Sequence, residues 1–138
     1  MELYHASKQI VQYPEVRKAK YTKDFSWGFY CTNNIQQAIR WANRGVGDPV
    51  INYYEYEPND SLKILKFPEM SDEWLDLIAQ CRNGKTHNYD IVEGPMADDT
   101  VWNYVNDFLT GRISRKQFWI NLFHSSDIQR WLRGLKYC

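Results

Sequence analysis

The sequence predicts an α+β domain, on two observations. Short β-rich segments bounded by turn residues fill the first two-thirds of the 138 residues, and apolar residues at helical spacing fill the rest. That length allows one domain, residues 1–138, with a real core, and is too short for two.

Each element has a local cause. Residues 2–6 are apolar enough for a short strand whose working end is His5. Residues 8–23 are mixed and contain Pro14, so they read as a loop. Trp27-Gly28-Phe29-Tyr30-Cys31 is rich in β-formers and predicts a second strand. A helix follows, capped by Asn33 or Asn34, with Gln36 or Gln37 completing a capping-box pattern. Ile35, Ala38, Ile39 and Ala42 form its apolar stripe, and Gly45 and Gly47 end it.

Residues 50–57 and 62–67 predict two further strands around a Pro58-Asn59-Asp60 turn. Ser71 caps a helix to about Gln80, with Asp72 and Glu73 at its positive end and Asn83-Gly84 after it. Residues 89–93 predict a fifth strand, broken by Gly94-Pro95. Val101, Val105, Phe108 and Leu109 mark a helix ended by Gly111. Ser114-x-x-Gln117 opens another, and Ile128, Trp131, Leu132 and Leu135 fit a last helix.

Composition narrows the function classes. Lys plus Arg and Asp plus Glu are 17 each, so the chain lacks the global field of a dedicated nucleic-acid binder. Basic clusters at Lys18, Lys20 and Lys23, and at Arg112, Arg115 and Lys116, are most simply solvated faces. Aromatic residues reach 16%, which fits either a core of large side chains or an aromatic-lined pocket. Cys31, Cys81 and Cys138 are odd in number and far apart, the pattern of reduced thiols in a cytoplasmic setting. No basic-then-apolar leader and no long apolar run is present, so neither secretion nor a membrane partner is expected. No Cys or His pair has zinc-ligand spacing, and no metal is expected.

Two segments carry the functional signal: Leu3-Tyr4-His5-Ala6-Ser7 and Gly28-Phe29-Tyr30-Cys31-Thr32. The first resembles the L-x-H-G-S strand of ADP-ribosyltransferases of the diphtheria-toxin and poly-ADP-ribose-polymerase type, and the second their G-x-Y-F strand. The resemblance sharpens towards domain-of-unknown-function family 3990, a bacterial group. Members look like L-Y-H-G-S, K-D-F-G-x-G-F-Y-x-T, Q-A-x-x-W-A, W-L-D and D-Y-D-I-V-x-G-P-x-A-D-D. The corresponding stretches here start at Leu3, Lys23, Gln37, Trp74 and Asn88, in the same order.

The resemblance implies a split β-core with flanking helices around a cleft for NAD. It implies that His5 hydrogen-bonds the adenosine-side ribose and that the Ala6 backbone grips the nicotinamide amide, with Ser7 supporting the same strand end. It implies that Gly28, Phe29 and Tyr30 line the cleft and that Trp41 supplies a second ring. The chemistry suits these residue types. Cleavage of the nicotinamide–ribose bond has oxocarbenium character, as glycoside cleavage does. The nicotinamide ring is cationic in NAD and is held well by an aromatic face. Outside the family pattern, a lone His in a strand and a lone Tyr or Trp default to structural roles.

The third catalytic position is open. The family places an acidic or amide residue at the start of a late strand, where it steadies developing charge on the ribose. Phe123-His124-Ser125 has the tail of that strand pattern, but Ile120 stands where Gln is expected. Asp98 and Asp99 are the best remaining carboxylates, although an Asp before an apolar helix is usually its N-cap. Gln117 and Glu93 rank below them. The expected activity is NAD-dependent mono-ADP-ribosyl transfer to an intracellular macromolecule, in a toxin-like enzyme with a small antitoxin-like partner. The alternatives are a weakened module that binds NAD or a protein, and an NAD glycohydrolase.

Overall fold

The computed structural model describes residues 1–17, 24–57, 59–97 and 99–123, with the side chains of residues 99 and 100 excepted. The expected last helix at Ile128, Trp131, Leu132 and Leu135, the Lys18–Lys20–Lys23 cluster, Pro58, Cys138 and Asp98 lie outside them.

The chain is α+β. In order it forms β1 (Glu2–Ser7), α1 (Ile35–Ala42), β2 (Val50–Glu55), β3 (Ile64–Lys66), α2 (Asp72–Arg82), β4 (Ile91–Glu93), α3 (Asp99–Leu109) and α4 (Arg115–Phe123). β1 and β2 pair antiparallel, with His5 opposite Asn52 and Ala6 opposite Ile51. β3 and β4 pair parallel across α2, in the register Leu65 to Val92.

Local chemistry explains the helix ends. Asn34 caps α1 by accepting from the Gln36 and Gln37 amides at 3.0 and 3.2 Å. Ser71 Oγ accepts from Trp74 N at the start of α2, and Asp72 and Glu73 occupy its first turn. Ser114 Oγ accepts from Gln117 N as α4 begins. Gly111 takes a φ of 77° just after α3, a conformation that favours glycine.

Several expectations shift. The strand expected over Trp27–Cys31 is irregular chain, and its backbone ladder with β1 is reduced to an isolated Tyr4–Thr32 bridge among the described residues. The cause is local. The Tyr30 hydroxyl donates to Ser26 O at 2.6 Å and accepts from Phe25 N at 3.1 Å, curling the segment that Ser26 enters at a φ of 73°. β2, β3 and β4 are each shorter than expected. Residues 118–123 are helical, so the late strand sought in Phe123-His124-Ser125 does not form across its described part, Phe123. The α1 stripe is also rotated: Ala38 and Ala42 are buried, but Ile35 and Ile39 are 44% and 36% exposed. Gln37 faces inward in their place, because its Oε1 accepts from the buried Thr32 hydroxyl at 2.7 Å.

The core lies among α2, α3, α4 and β4, where Trp74, Leu75, Ile78, Val92, Val105 and Phe118 pack together. Phe25 and Tyr30 belong to the same cluster, so the curled segment is anchored in the core at one side. Trp74 also donates its indole N–H to Pro95 O at 2.7 Å, pinning the Gly94-Pro95 break after β4 to α2.

Candidate functional site

Alternation along β1 puts Leu3, His5 and Ser7 on one face and Tyr4 and Ala6 on the other. The curled segment 25–31 crosses the Leu3–His5–Ser7 face. His5 Nδ1 lies 2.7 Å from Tyr30 O; a carbonyl only accepts, so this nitrogen carries the proton. The His5 ring stacks on Phe29, with centroids 3.9 Å apart and planes 25° apart, and Phe29 meets Tyr54 edge-on at 5.8 Å. Gly28 lies close against Tyr30: a Cβ there would sit 3.2 Å from the ring, tight enough that the ring would have to give.

Two cavities open on this face and share Gly28 and Phe29 in their walls. The larger, about 480 Å³, lies toward the Leu3 end and is walled by Phe25, Trp27, Tyr30, Tyr56 and Tyr89 among others. The smaller, about 210 Å³, lies toward the Ser7 end and includes His5, Gln9 and Arg17. The larger is within the size range of small-molecule sites.

The structure therefore places Gly28, Phe29 and Tyr30 in the wall of the larger cavity, and His5 and Ser7, again with Gly28 and Phe29, in the wall of the smaller one beside it. Ala6 is on the opposite face of β1 and, like Trp41 on α1, lines neither cavity. Asp98 lies outside the described residues, and of Asp99 only the backbone, as the first residue of α3, is described. Gln117 is exposed on α4, donating to Asn121 Oδ1 at 2.7 Å. Glu93, at the end of β4, is in the wall of the larger cavity.

Two residues escaped the sequence reading. Asp24 is fully buried and accepts from Arg82 Nε at 3.0 Å, Arg82 Nη2 at 2.5 Å and Ala97 N at 2.7 Å. It joins the start of the curled segment to α2 and to the stretch after Pro95, and Arg82 in turn lies over the Trp102 ring at 4.2 Å. The signal was an Asp beside Phe25 in a segment otherwise bound for the core. His87, another wall residue, accepts from Tyr89 N at Nδ1 and lies 2.9 Å from Phe25 O through Nε2. That pairing fixes the tautomer with its proton on Nε2, braces the cavity's rim, and has no local sequence signature.

Burial also sets the thiol chemistry. The Cys31 thiol, in the cavity wall, is pushed up to about 11 by burial. It is therefore neutral at physiological pH and a poor nucleophile. Among the described residues, no group of three or more His, Cys, Asp or Glu side chains could hold a metal ion, and no helix is long and apolar enough to cross a membrane.

A family model described as "Protein of unknown function (DUF3990)" matches residues 1–132. The chain belongs to the DUF3990 family. In this DUF3990 domain the groove is built from two of the motifs that run through the match, the strand bearing His5 and the segment bearing Gly28 and Tyr30. Neither a curated protein nor a solved structure matches the chain significantly.

Proposed function

We propose that this DUF3990 domain is an NAD-dependent mono-ADP-ribosyltransferase with an ADP-ribosyltransferase-like split β-core, acting in the cytoplasm on a macromolecular acceptor. The observation that carries the reading is the 2.7 Å contact of His5 Nδ1 with Tyr30 O, which sets the two motifs side by side along one groove. The two cavities adjoin at Gly28 and Phe29, so a two-part ligand such as NAD would lie across that segment.

The residues present fit NAD. The larger cavity offers aromatic faces, Tyr30 among them, for a flat cationic ring. His5 presents a polar ring edge to the smaller cavity, and Ser7 and Arg17 add polar groups there. Bound NAD supplies a glycosidic bond with a good leaving group. The chain's own part is to hold and orient: the Tyr30 hydroxyl locks its ring through Ser26 and Phe25, and the Tyr30 carbonyl fixes the His5 tautomer. Phe29 covers the His5 ring in this state, so ligand entry at His5 requires that side chain to turn away. A toxin-like activity of this kind calls for a small neutralising protein partner.

The test is incubation with labelled NAD, with and without cell lysate, followed by detection of transferred label and free nicotinamide. The proposal expects label on a macromolecule and loss of transfer in His5→Ala. Nicotinamide release without transfer would favour a glycohydrolase. Binding of NAD with neither product would favour a binding module.

A further inference from the structure

β2 is an edge strand, and its outer side offers backbone groups to a further strand. Thr32 exchanges two backbone hydrogen bonds with Tyr4, at 2.8 and 2.9 Å, so the N–H and C=O of Tyr4 point away from β2. Antiparallel pairing alternates. Tyr53, opposite Tyr4, therefore points its own N–H and C=O away from β1, as do Ile51 and Glu55. Among the described residues no backbone group bonds these three, and no further strand joins β2. Proteins usually blunt such an edge with a lysine, a proline or a bulge. Val50–Glu55 contains none of these, and its six pairs with β1 run without a break.

Charge says what this edge accepts. Residues 45–62 carry four carboxylates, Asp48, Glu55, Glu57 and Asp60, and no Lys or Arg, in a chain whose acidic and basic residues are equal in number. Asp48, Glu55 and Glu57 are exposed in and around β2. Glu2 stands directly opposite Glu55 across the sheet, a like-charge pair that costs stability. The Met1 ammonium lies 3.9 Å from Glu55, and the Tyr4 and Tyr53 hydroxyls donate to these two carboxylates. A second copy of the chain fits the edge poorly. Antiparallel pairing about Tyr53 would bring Glu57 of each copy near Asp48 of the other, and Pro49 has no N–H to give.

We propose that the outer edge of β2 binds an extended, basic segment of a partner protein, which adds to the sheet as a third strand. Its backbone pairs with Ile51, Tyr53 and Glu55, and Lys or Arg at alternate positions meet Glu55 and Glu2. Alternation places Tyr53 and Glu55 on the face of the sheet opposite Leu3, His5 and Ser7. The interface is thus separate from the groove proposed for NAD.

The probe is an acetylated, amidated hexapeptide alternating Lys with Val, and the control alternates Glu with Val. Hydrogen exchange of the ¹⁵N-labelled full chain is read amide by amide. In the free chain, Ile51, Tyr53 and Glu55 should exchange faster than Asn52 and Tyr54, whose amides face β1. The Lys peptide at ten times its dissociation constant should slow the first three about tenfold by mass action, and the Glu peptide should not. Glu2→Gln/Glu55→Gln should bind the Lys peptide about three- to tenfold more weakly, as two exposed charge pairs are lost. The same variant should melt no lower than the parent, because a like-charge pair is relieved. Slow exchange of the three amides in the free monomer, equal slowing by both peptides, or no slowing at millimolar peptide would overturn the proposal. So would unchanged affinity in the variant, or protection that rises with chain concentration alone, which would assign the edge to a second copy. NAD turnover depends on none of these results, so the transferase reading stands or falls separately.

Discussion

Replacing Asp24 by Ala tests how the groove is held to the core. Its carboxylate has 0% exposure and accepts from three donors among the described residues, and its partner Arg82 has a side chain only 25% exposed. Removal takes the Asp24 carboxylate from a largely buried guanidinium and the acceptor from the buried Ala97 N–H. Breaking a buried ion pair on one side typically costs about 3–5 kcal/mol, because the abandoned charge remains desolvated. Domains of ordinary stability hold only about 5–15 kcal/mol in total, so the loss is a large share. For a chain of this size, each kcal/mol moves the melting point by about 3–5 °C, giving a drop of about 10–20 °C. Thermal and urea unfolding followed by far-UV circular dichroism would read it. A double-mutant cycle with Arg82→Ala should show a coupling of at least about 2 kcal/mol, and Asp24→Ala/Arg82→Ala should be less costly than the sum of the singles. A loss below about 1 kcal/mol, or additive singles, would refute the reasoning.

Other consequences follow from the same geometry. Gly28→Ala should lower stability and shift near-UV ellipticity, because the new methyl would meet the Tyr30 ring at 3.2 Å; an unchanged near-UV spectrum would argue against that close approach. Cys31 and Cys81 are both pushed up to about 11 by burial, so iodoacetamide at pH 8 should label them only as fast as the chain opens. Their raised values contribute stability that is whole below the unfolded thiol's pKa of about 8.5 and is lost as pH climbs through about 11. Urea midpoints should therefore fall between pH 8.5 and 11, more steeply than in a Cys31→Ala/Cys81→Ala variant.

The helices were legible because their signals are local. Asn34, Ser71 and Ser114 do what their spacing announces, accepting from amides two or three residues on. Strand limits were less legible, since pairing partners lie far along the chain: β1 finds β2 more than forty residues away. The Trp27–Cys31 segment shows why β-propensity fails at a site. Its residues favour strand, but the Tyr30 hydroxyl offers the backbone of residues 25 and 26 a competing partner. The candidate site divides the same way. His5, Gly28 and Tyr30 could be read from motifs and Glu93 was a lower-ranked candidate, whereas Tyr56 and His87 enter the cavity wall only through the fold. Asp24 stands within the stretch that begins at Lys23, yet its role depends on Arg82, fifty-eight residues later.

The central claim is that the groove over β1, between His5 and Tyr30, is where NAD binds. Titration of NAD into the ¹⁵N-labelled chain, followed by amide chemical shifts, tests it most directly. The account predicts the largest shifts at His5, at Ser7 and over residues 28–31, reduced in His5→Ala. Shifts confined to α3 and α4, or no shifts at millimolar NAD, would contradict it.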